Sequence, residues 1–349
     1  MTTGVVLLNF GEPQNPTRDK VVPYLERIFL DNMSLEGGMS EEDARKRASK
    51  LAERRAPGLM EEYEEMGGGS PLIPQAKSQA QMVEDALVSR GFDVETYFGM
   101  QFTEPFISDA VEEAKEDGVD RIIGLPIYPL CGPSTTVSSL EDLSDTVEES
   151  DWDGEYNEIT GWHEHPDYVD IRVENIRDYA EAEEVDLNDD DTELVFSAHG
   201  TPIHYLEEGS RYDQYVEEHC AEVADRLDVD SYTIGYQNHE NRDIDWTEPD
   251  TEEVIEGIDA ERVVVDAVSF MHEQSETLSE LDIELAEEAE EEGLELYRVP
   301  VPHDDPRFGS VLADLVQPVV TGAVEESEMG QCRCKETPGT VCYKPVQVE

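Results

Sequence analysis

Short apolar runs alternate along this chain with longer segments whose apolar residues recur every three or four positions. Gly4 to Phe10 is one such run, closed by Gly11-Glu12-Pro13. Leu194 to Ala198 is another, closed by His199-Gly200-Thr201-Pro202. Short apolar runs stopped by Gly and Pro predict buried strands. Pro71 to Arg90, Phe106 to Asp117, Tyr212 to Leu227 and Thr277 to Glu292 carry the helical spacing. Strands alternating with helices predict parallel sheets covered by helices, an α/β fold. No apolar run reaches the roughly 18 residues of a membrane-spanning helix.

The pattern repeats. Leu7-Leu-Asn-Phe-Gly-Glu-Pro13 and Phe196-Ser-Ala-His-Gly-Thr-Pro202 are strand ends of one form. Arg121 to Glu141 lies without gaps on Arg262 to Asp282, with Arg, Ser, Thr, Ser and Leu recurring in register. Thr103-Glu-Pro105 is echoed by Thr247-Glu-Pro249. Three matches in the same order predict two similar halves, each a parallel sheet flanked by helices. The first half spans 1–150 and holds a helical lip insertion at about 31–69. An acidic connecting segment covers 151–191, the second half 192–325, and a Cys-containing tail 326–349. Trp162-His-Glu-His165, within the connecting segment, reads as an exposed loop.

Charge changes the picture next. The chain carries 85 Asp and Glu against 24 Lys and Arg, for a net charge of −61. Such a surface repels phosphates, which excludes general nucleic-acid binding. The apolar residues still cluster into strands, so this is a folded protein and not an acidic disordered chain. Only seven of the basic residues are Lys. An acidic, Lys-poor surface predicts a protein adapted to molar internal salt, where a Debye length of about 3 Å screens self-repulsion. The first ten residues lack a basic leader and a small-residue cleavage site, so a cytoplasmic location is expected.

The repeat isolates candidate chemistry. Where the first half has Phe10 and Thr135, the second has His199 and Glu276. Alone, His199 reads more readily as a core or turn histidine satisfied by backbone. Gained together with a carboxylate, at the carboxyl ends of strands of one sheet, it reads as a site. An imidazole and a carboxylate share a borderline divalent cation, or relay a proton. Two protein ligands leave coordination positions open, which suits transient delivery. There is no P-loop, no Gly-x-Gly-x-x-Gly after the first strand and no Gly-x-Ser-x-Gly elbow. In the lip, Arg45, Lys46, Arg47, Lys50, Arg54 and Arg55 concentrate six of the 24 basic residues. They suit an anionic ligand or helix-face pairing with Glu41, Glu42 and Asp43. Gly67-Gly-Gly-Ser-Pro71 is a linker, or a place where backbone approaches a ligand closely. Five cysteines, three of them in the tail, point to metal or redox use rather than a disulfide framework.

Leu7-Leu-Asn-Phe-Gly-Glu-Pro13, Gly67-Gly-Gly-Ser-Pro-Leu72, Tyr128-Pro129 with Ser134-Thr-Thr136, Ser197-Ala-His-Gly200, Trp246-x-x-Pro249 and Ser275-Glu-Thr-Leu-Ser-Glu-Leu-Asp282 together resemble the ferrochelatases, over about residues 3–320. The resemblance implies two Rossmann-like, chelatase-type halves and insertion of Fe²⁺ into a porphyrin to give haem. It implies that His199 and Glu276 are the catalytic, metal-contacting pair. It places Arg54 and Arg55 near the porphyrin propionates, with Tyr63 and Ser70 on the same lip. Two places depart from the family pattern: Glu273-Gln274 stands for its Asp-His, and Gln101-Phe102 for its Arg-Tyr. Some members hold a [2Fe–2S] cluster on tail cysteines, which here implies Cys131, Cys332, Cys334 and Cys342 as ligands. Bound Zn²⁺ and free thiols are the alternatives, and Cys220 is expected to be core packing. A chelatase for another tetrapyrrole, cobalt among its metals, or a non-catalytic haem or metal carrier would use the same cleft.

Overall fold

A computed structural model describes residues 1–36, 40–238 and 244–345. Small parts of the lip (37–39) and of the tail (346–349) lie outside the described residues. The first sheet contains β1 (Thr3–Asn9), β2 (Val94–Met100), β3 (Arg121–Pro126) and β4 (Glu155–Ile159), in the order β2-β1-β3-β4. The second contains β5 (Thr192–His199), β6 (Thr233–Gln237), β7 (Arg262–Ala267) and β8 (Glu295–Val299), in the order β6-β5-β7-β8. All of these pairings are parallel.

The repeat read from the sequence reappears in the pairing register. Thr3 opposes Arg121 in the first sheet, and Thr192 opposes Arg262 in the second. Just beyond the strands, the Ile127 N–H donates to the Leu8 carbonyl at 3.0 Å and the Val268 N–H to the Ser197 carbonyl at 2.9 Å. The Thr-Glu-Pro echoes match too: the Met100 N–H donates to the Pro105 carbonyl at 2.8 Å, and the Tyr236 N–H to the Pro249 carbonyl at 3.0 Å. Phe10 and His199 therefore leave equivalent strand ends.

The lip is a pair of packed helices, α1 (Arg18–Glu36) and α2 (Glu41–Glu65). Ala44, Ala48, Ala52 and Ala56 recur every fourth residue of α2 and are all buried. Small side chains on one helical stripe let α1 approach closely. Val21, Tyr24, Leu25, Leu59 and Tyr63 fill the remaining contact. Helix α3 (Leu72–Ser89) then returns the chain to β2, and α4 (Ile107–Asp117) and α5 (Ser138–Glu149) cover the first sheet.

Helix α6 (Pro166–Ala182), from the acidic segment, packs on the second sheet with α8 (Tyr212–Leu227); the short α7 (Ile203–Glu207) and α9 (Thr251–Glu256) follow β5 and precede β7. Arg172 of α6 is 0% exposed and donates to Asp266 of β7 at 2.6 Å and to the Ala267 carbonyl at 2.9 Å. The predicted helix over Thr277 to Glu292 is divided. It comprises α10 (Ser275–Leu278), a π-helical turn over Glu280–Glu284 and α11 (Leu285–Glu292). π-Helical turns are frequent at functional sites.

The last part of the chain goes back to the first sheet. Helix α12 (Phe308–Thr321) buries Phe308, Val311, Leu312, Leu315 and Val316 in one core cluster with Val83 and Leu87 of α3. β9 (Met329–Gln331) and β10 (Thr340–Tyr343) extend that sheet beyond β4. This return corrects the exposed-loop reading of Trp162 to His165. His163 and His165 are 6% and 5% exposed, and Trp162 is fully buried. Trp162 packs on Tyr168 and Phe308, His163 on Tyr215 of α8, and His165 on Tyr343 of β10. A segment that looks polar in isolation is covered by elements distant in sequence. No described helix is long and apolar enough to cross a membrane.

Candidate active site

His199 ends β5, and Gly200 must follow it. A Cβ on Gly200 would lie 1.8 Å from Asn238 Oδ1 and 2.9 Å from the Gln237 carbonyl. Three hydrogen bonds fix the mount of the imidazole. The His199 N–H donates to Ser269 Oγ at 2.9 Å, and its carbonyl accepts from the Tyr212 hydroxyl at 2.9 Å. His199 Nδ1 lies 2.7 Å from the Gly200 carbonyl oxygen. A carbonyl only accepts, so Nδ1 carries the proton of the neutral ring and Nε2 the lone pair.

The carboxylates come from both halves. Glu276 sits in α10, where Oε2 accepts from Gln274 Nε2 at 2.9 Å and lies 3.2 Å from Ser275 Oγ. Glu12, in the loop after β1, is 2% exposed. Its carboxylate accepts from the Ser275 N–H at 3.1 Å and from the Ser275 hydroxyl. Glu12 thus holds the residue next to Glu276 across the junction of the halves. Gln237, at the end of β6, spans the other side: its Nε2 donates to the Glu276 carbonyl at 2.8 Å and to Glu280 Oε2 at 2.9 Å. Glu12, buried, and Glu276 and Glu280, half-buried, form an acidic row.

Burial raises all three acids above the usual carboxylate range, and repulsion from Glu276 adds to it at Glu12 and Glu280. Glu12 is pushed up to about 7, first by burial and then by the charge of Glu276, against the opposing hydrogen bonds of Ser275 and Ser70. Burial and Glu276 push Glu280 up to about 8. Burial also raises Glu276. Farther out, burial and then Glu62 of α2 raise Glu284. Proton acceptors tuned to near neutrality are what acid–base work at pH 7 requires. Among the described residues, no three donors of this row gather tightly enough to hold an ion, so it is not a preformed metal cage.

The remaining sequence candidates divide. Tyr63 is 0% exposed, within the α1–α2 contact, and near enough to feel the charge of Glu12. Ser70 is buried and hydrogen bonds to Glu12. The glycines before it make a tight turn in which the Gly68 and Gly69 N–H groups donate to the Tyr63 carbonyl. A Cβ on Gly69 would lie 2.0 Å from the Gln14 carbonyl, so the turn is closely packed at that end, whereas a Cβ on Gly67 or Gly68 would meet nothing within 4 Å. Arg54 and Arg55 stay outside on the exposed face of α2. Arg55 pairs with Glu62 at 2.7 Å, whereas Arg54 makes no ion pair among the described residues. Helix-face pairing accounts for Arg45 with Glu41 and Lys46 with Glu42.

His272 is not a second site imidazole. It is buried, its Nδ1 accepts from Asn9 Nδ2 at 3.0 Å, and burial lowers it to about 3. Gln274 instead donates to Glu276.

The thiols converge on a separate place. The sulfurs of Cys131, Cys332 and Cys334 lie within 4.8 Å of one another. Cys342 hydrogen bonds to Cys332 as well. Cys332 is the centre: hydrogen bonds from Cys131, Cys334, Cys342 and Thr160 pull its thiol far down. Thr160 Oγ1 donates to Cys332 Sγ at 2.9 Å, and the Tyr215 hydroxyl lies 3.2 Å from Cys334 Sγ. No cysteine is in a disulfide, and Cys220 is buried in the α8 core.

Sequence reasoning missed Glu12, Glu280, Gln237 and Tyr212. Two of them left a signal. Glu12 aligns with Thr201 in the repeat, a carboxylate gained by the first half, and Glu280 stands four residues beyond Glu276.

A family model described as Ferrochelatase matches residues 2–319. A ferrochelatase of Picosynechococcus sp. is 35% identical over 324 residues, covering 90% of this chain and 81% of that protein. One of Synechococcus sp. strain JA-3-3Ab is 35% identical over 326 residues, covering 90% and 93%. Among solved structures, CbiX, the terminal enzyme of sirohaem biosynthesis in denitrifying bacteria, aligns at 12% identity with a TM-score of 0.49, covering 91% of this chain and 98% of the other. A family model over residues 2–319 and 35% identity to curated ferrochelatases over 90% of its length place this chain in the ferrochelatase family.

Proposed function

We propose that this enzyme inserts Fe²⁺ into a porphyrin by taking two pyrrole protons onto His199 and the acidic row while Fe²⁺ is delivered to the ring. The observation that carries this reading is the placement of His199, with Nε2 as the acceptor of its neutral ring, opposite Gln237 of β6, whose side chain holds the Glu276 carbonyl and Glu280, in a site where Glu12 and Glu280 are tuned close to neutrality. Insertion exchanges two N–H protons for one divalent cation, so a base and an outlet for protons are both required. His199 Nε2 accepts a pyrrole proton. Glu276 contacts the incoming Fe²⁺ and passes protons to Glu12 and Glu280, which take them up readily at neutral pH. Arg54 and Arg55 of the lip hold propionates, and Tyr63 and Ser70 back the lip wall.

The close approach of the Cys131, Cys332 and Cys334 sulfurs, with Cys342 hydrogen bonded to Cys332, supports reading the four thiols as one centre. Cys131, Cys332, Cys334 and Cys342 are the donor set of a [2Fe–2S] cluster, as they are of a structural Zn²⁺. A cluster bound there would supply a one-electron centre and a staple between the tail and the first half. Visible absorption with acid-labile sulfide distinguishes cluster from zinc. Five free cysteines suit a reducing compartment, which supports the cytoplasm as the location.

The reading is tested by an anaerobic insertion assay in molar salt, with protoporphyrin and coproporphyrin each offered Fe²⁺, Co²⁺ and Zn²⁺. Turnover of a porphyrin with Fe²⁺ is expected. Binding of porphyrin without turnover by any metal would make the protein a carrier instead.

A further inference from the structure

The first turn of α8 touches both His199 and the tail thiols. Tyr212 and Tyr215 stand three residues apart, so they are neighbours on one helical face. The Tyr212 hydroxyl closes a ring of three hydrogen bonds. It donates to the His199 carbonyl at 2.9 Å, its oxygen accepts from Ser269 Oγ at 2.9 Å, and Ser269 Oγ accepts from the His199 N–H at 2.9 Å. Tyr212 thereby holds the His199 carbonyl directly and its N–H through Ser269. One turn on, the Tyr215 hydroxyl lies 3.2 Å from Cys334 Sγ.

A second contact joins the same places. The Tyr212 ring lies against Gly132, where a Cβ would stand 3.4 Å from Tyr212 Cδ2. Gly132 follows Cys131 directly. Cys131, Tyr212 and Tyr215 belong to one core cluster, with Cys334 packed against it. Two of the four thiol-bearing positions therefore press on the turn that mounts the imidazole.

We infer that this turn transmits the loading of the thiol site to the catalytic imidazole. Tyr212 is a positioning residue for His199, and Gly132 and Tyr215 are the points through which the thiol site holds Tyr212. The inference rests on the four-sulfur reading of the tail given above. A bound metal centre fixes its sulfurs relative to one another, whereas free thiols hold each other only by weak S–H hydrogen bonds. Loading therefore fixes the Cys131 loop and Cys334. Through them it fixes a helical turn whose other side chain sets the register of the His199 backbone. Site and thiols are coupled by a physical chain of contacts, and such a chain is established only by a measured coupling.

The experiment uses the full-length protein in molar salt, metal-loaded and metal-stripped, as wild type, Tyr212→Phe and Tyr215→Phe. Phenylalanine keeps both rings in the core and removes only the hydroxyls. Metal and sulfide content, the imidazole NMR resonance of His199 (assigned by its loss in His199→Asn), and kcat and KM are recorded. Stripping the wild type is expected to move the His199 resonance and lower kcat about five- to tenfold, the scale of one lost hydrogen bond, with KM for porphyrin unchanged. Tyr212→Phe should reproduce both changes while keeping its metal, and stripping it should add nothing further. Tyr215→Phe should keep its metal and move the resonance part of the way. An unmoved resonance in a fully stripped wild type would overturn the inference, as would effects of stripping and Tyr212→Phe that multiply. A protein that takes up no metal at all would instead remove the four-sulfur reading beneath it.

Discussion

Replacing Glu12 by Gln should make this protein more stable and less active, and the stability gain should depend on pH. Gln keeps the shape and one carbonyl oxygen for the Ser275 N–H, but it carries no charge. In the folded protein the Glu12 carboxyl is raised from 4.5 to about 7. A raised acid favours the folded state below its unfolded value, and that favour is lost as pH rises through the folded value. Between pH 4.5 and 7 the unfolded chain has released the proton while the folded one retains it. At about 1.4 kcal/mol per pH unit, this span costs the wild type about 3 kcal/mol by pH 8. Gln removes that cost and loses part of the hydrogen bonding to Ser275, a loss of about 1 kcal/mol. A net gain of about 2 kcal/mol is expected at pH 8, and none or a small loss at pH 5. The assay is thermal or urea unfolding of both proteins at the two pH values, in the same molar salt. Activity should move the other way. One proton acceptor is gone, and the remaining carboxyls, relieved of a neighbouring charge, ionise at lower pH. The acid limb of kcat/KM should therefore shift down while its plateau falls. A stability change of equal size at pH 5 and pH 8 would refute the buried-acid account.

Stability should rise steeply with salt, because the Debye length falls from about 10 Å at 0.1 M to about 3 Å at 1 M and the net charge is −61; a melting temperature flat in KCl would contradict this. Arg172→Ala should cost about 3–5 kcal/mol by leaving Asp266 buried and unpaired, read by unfolding; pairing it with Asp266→Leu should recover much of the loss. Gly200→Ala should lower kcat at least as far as Tyr212→Phe, since its Cβ would meet both a side chain and a backbone carbonyl; porphyrin binding, followed by fluorescence quenching, should persist.

The sequence carried the α/β alternation because buried strands and amphipathic helices have different periods. It carried the repeat as well, since the same two offsets that align the motifs recur in the strand registers at Thr3–Arg121 and Thr192–Arg262. His199 and Glu276 were legible as residues one half has and the other lacks. Glu12 was not read, because only gains in the second half were sought, although its partner Thr201 shows a gain in the first. The burial of Trp162 to His165 was illegible for a different reason. Its cover comes from α8, α12 and β10, and no local pattern in an acidic segment records partners about 50 residues away or farther. The meeting of Cys131 with the tail is likewise absent from any local pattern, and only the family resemblance implied it. Arg55, read by its charge as an anion ligand, meets Glu62 two turns on, with Gly58 between them leaving room for the guanidinium to lie along the helix, so a propionate there competes with an existing ion pair.

The central claim is that His199 and Glu276 act on the porphyrin nitrogens and the metal rather than on binding. It is tested most directly by single-turnover Fe²⁺ insertion with His199→Ala and Glu276→Ala, alongside porphyrin titration by fluorescence. Both variants should bind porphyrin as the wild type does and form no haem; haem formation at a rate near wild type in either would contradict the account.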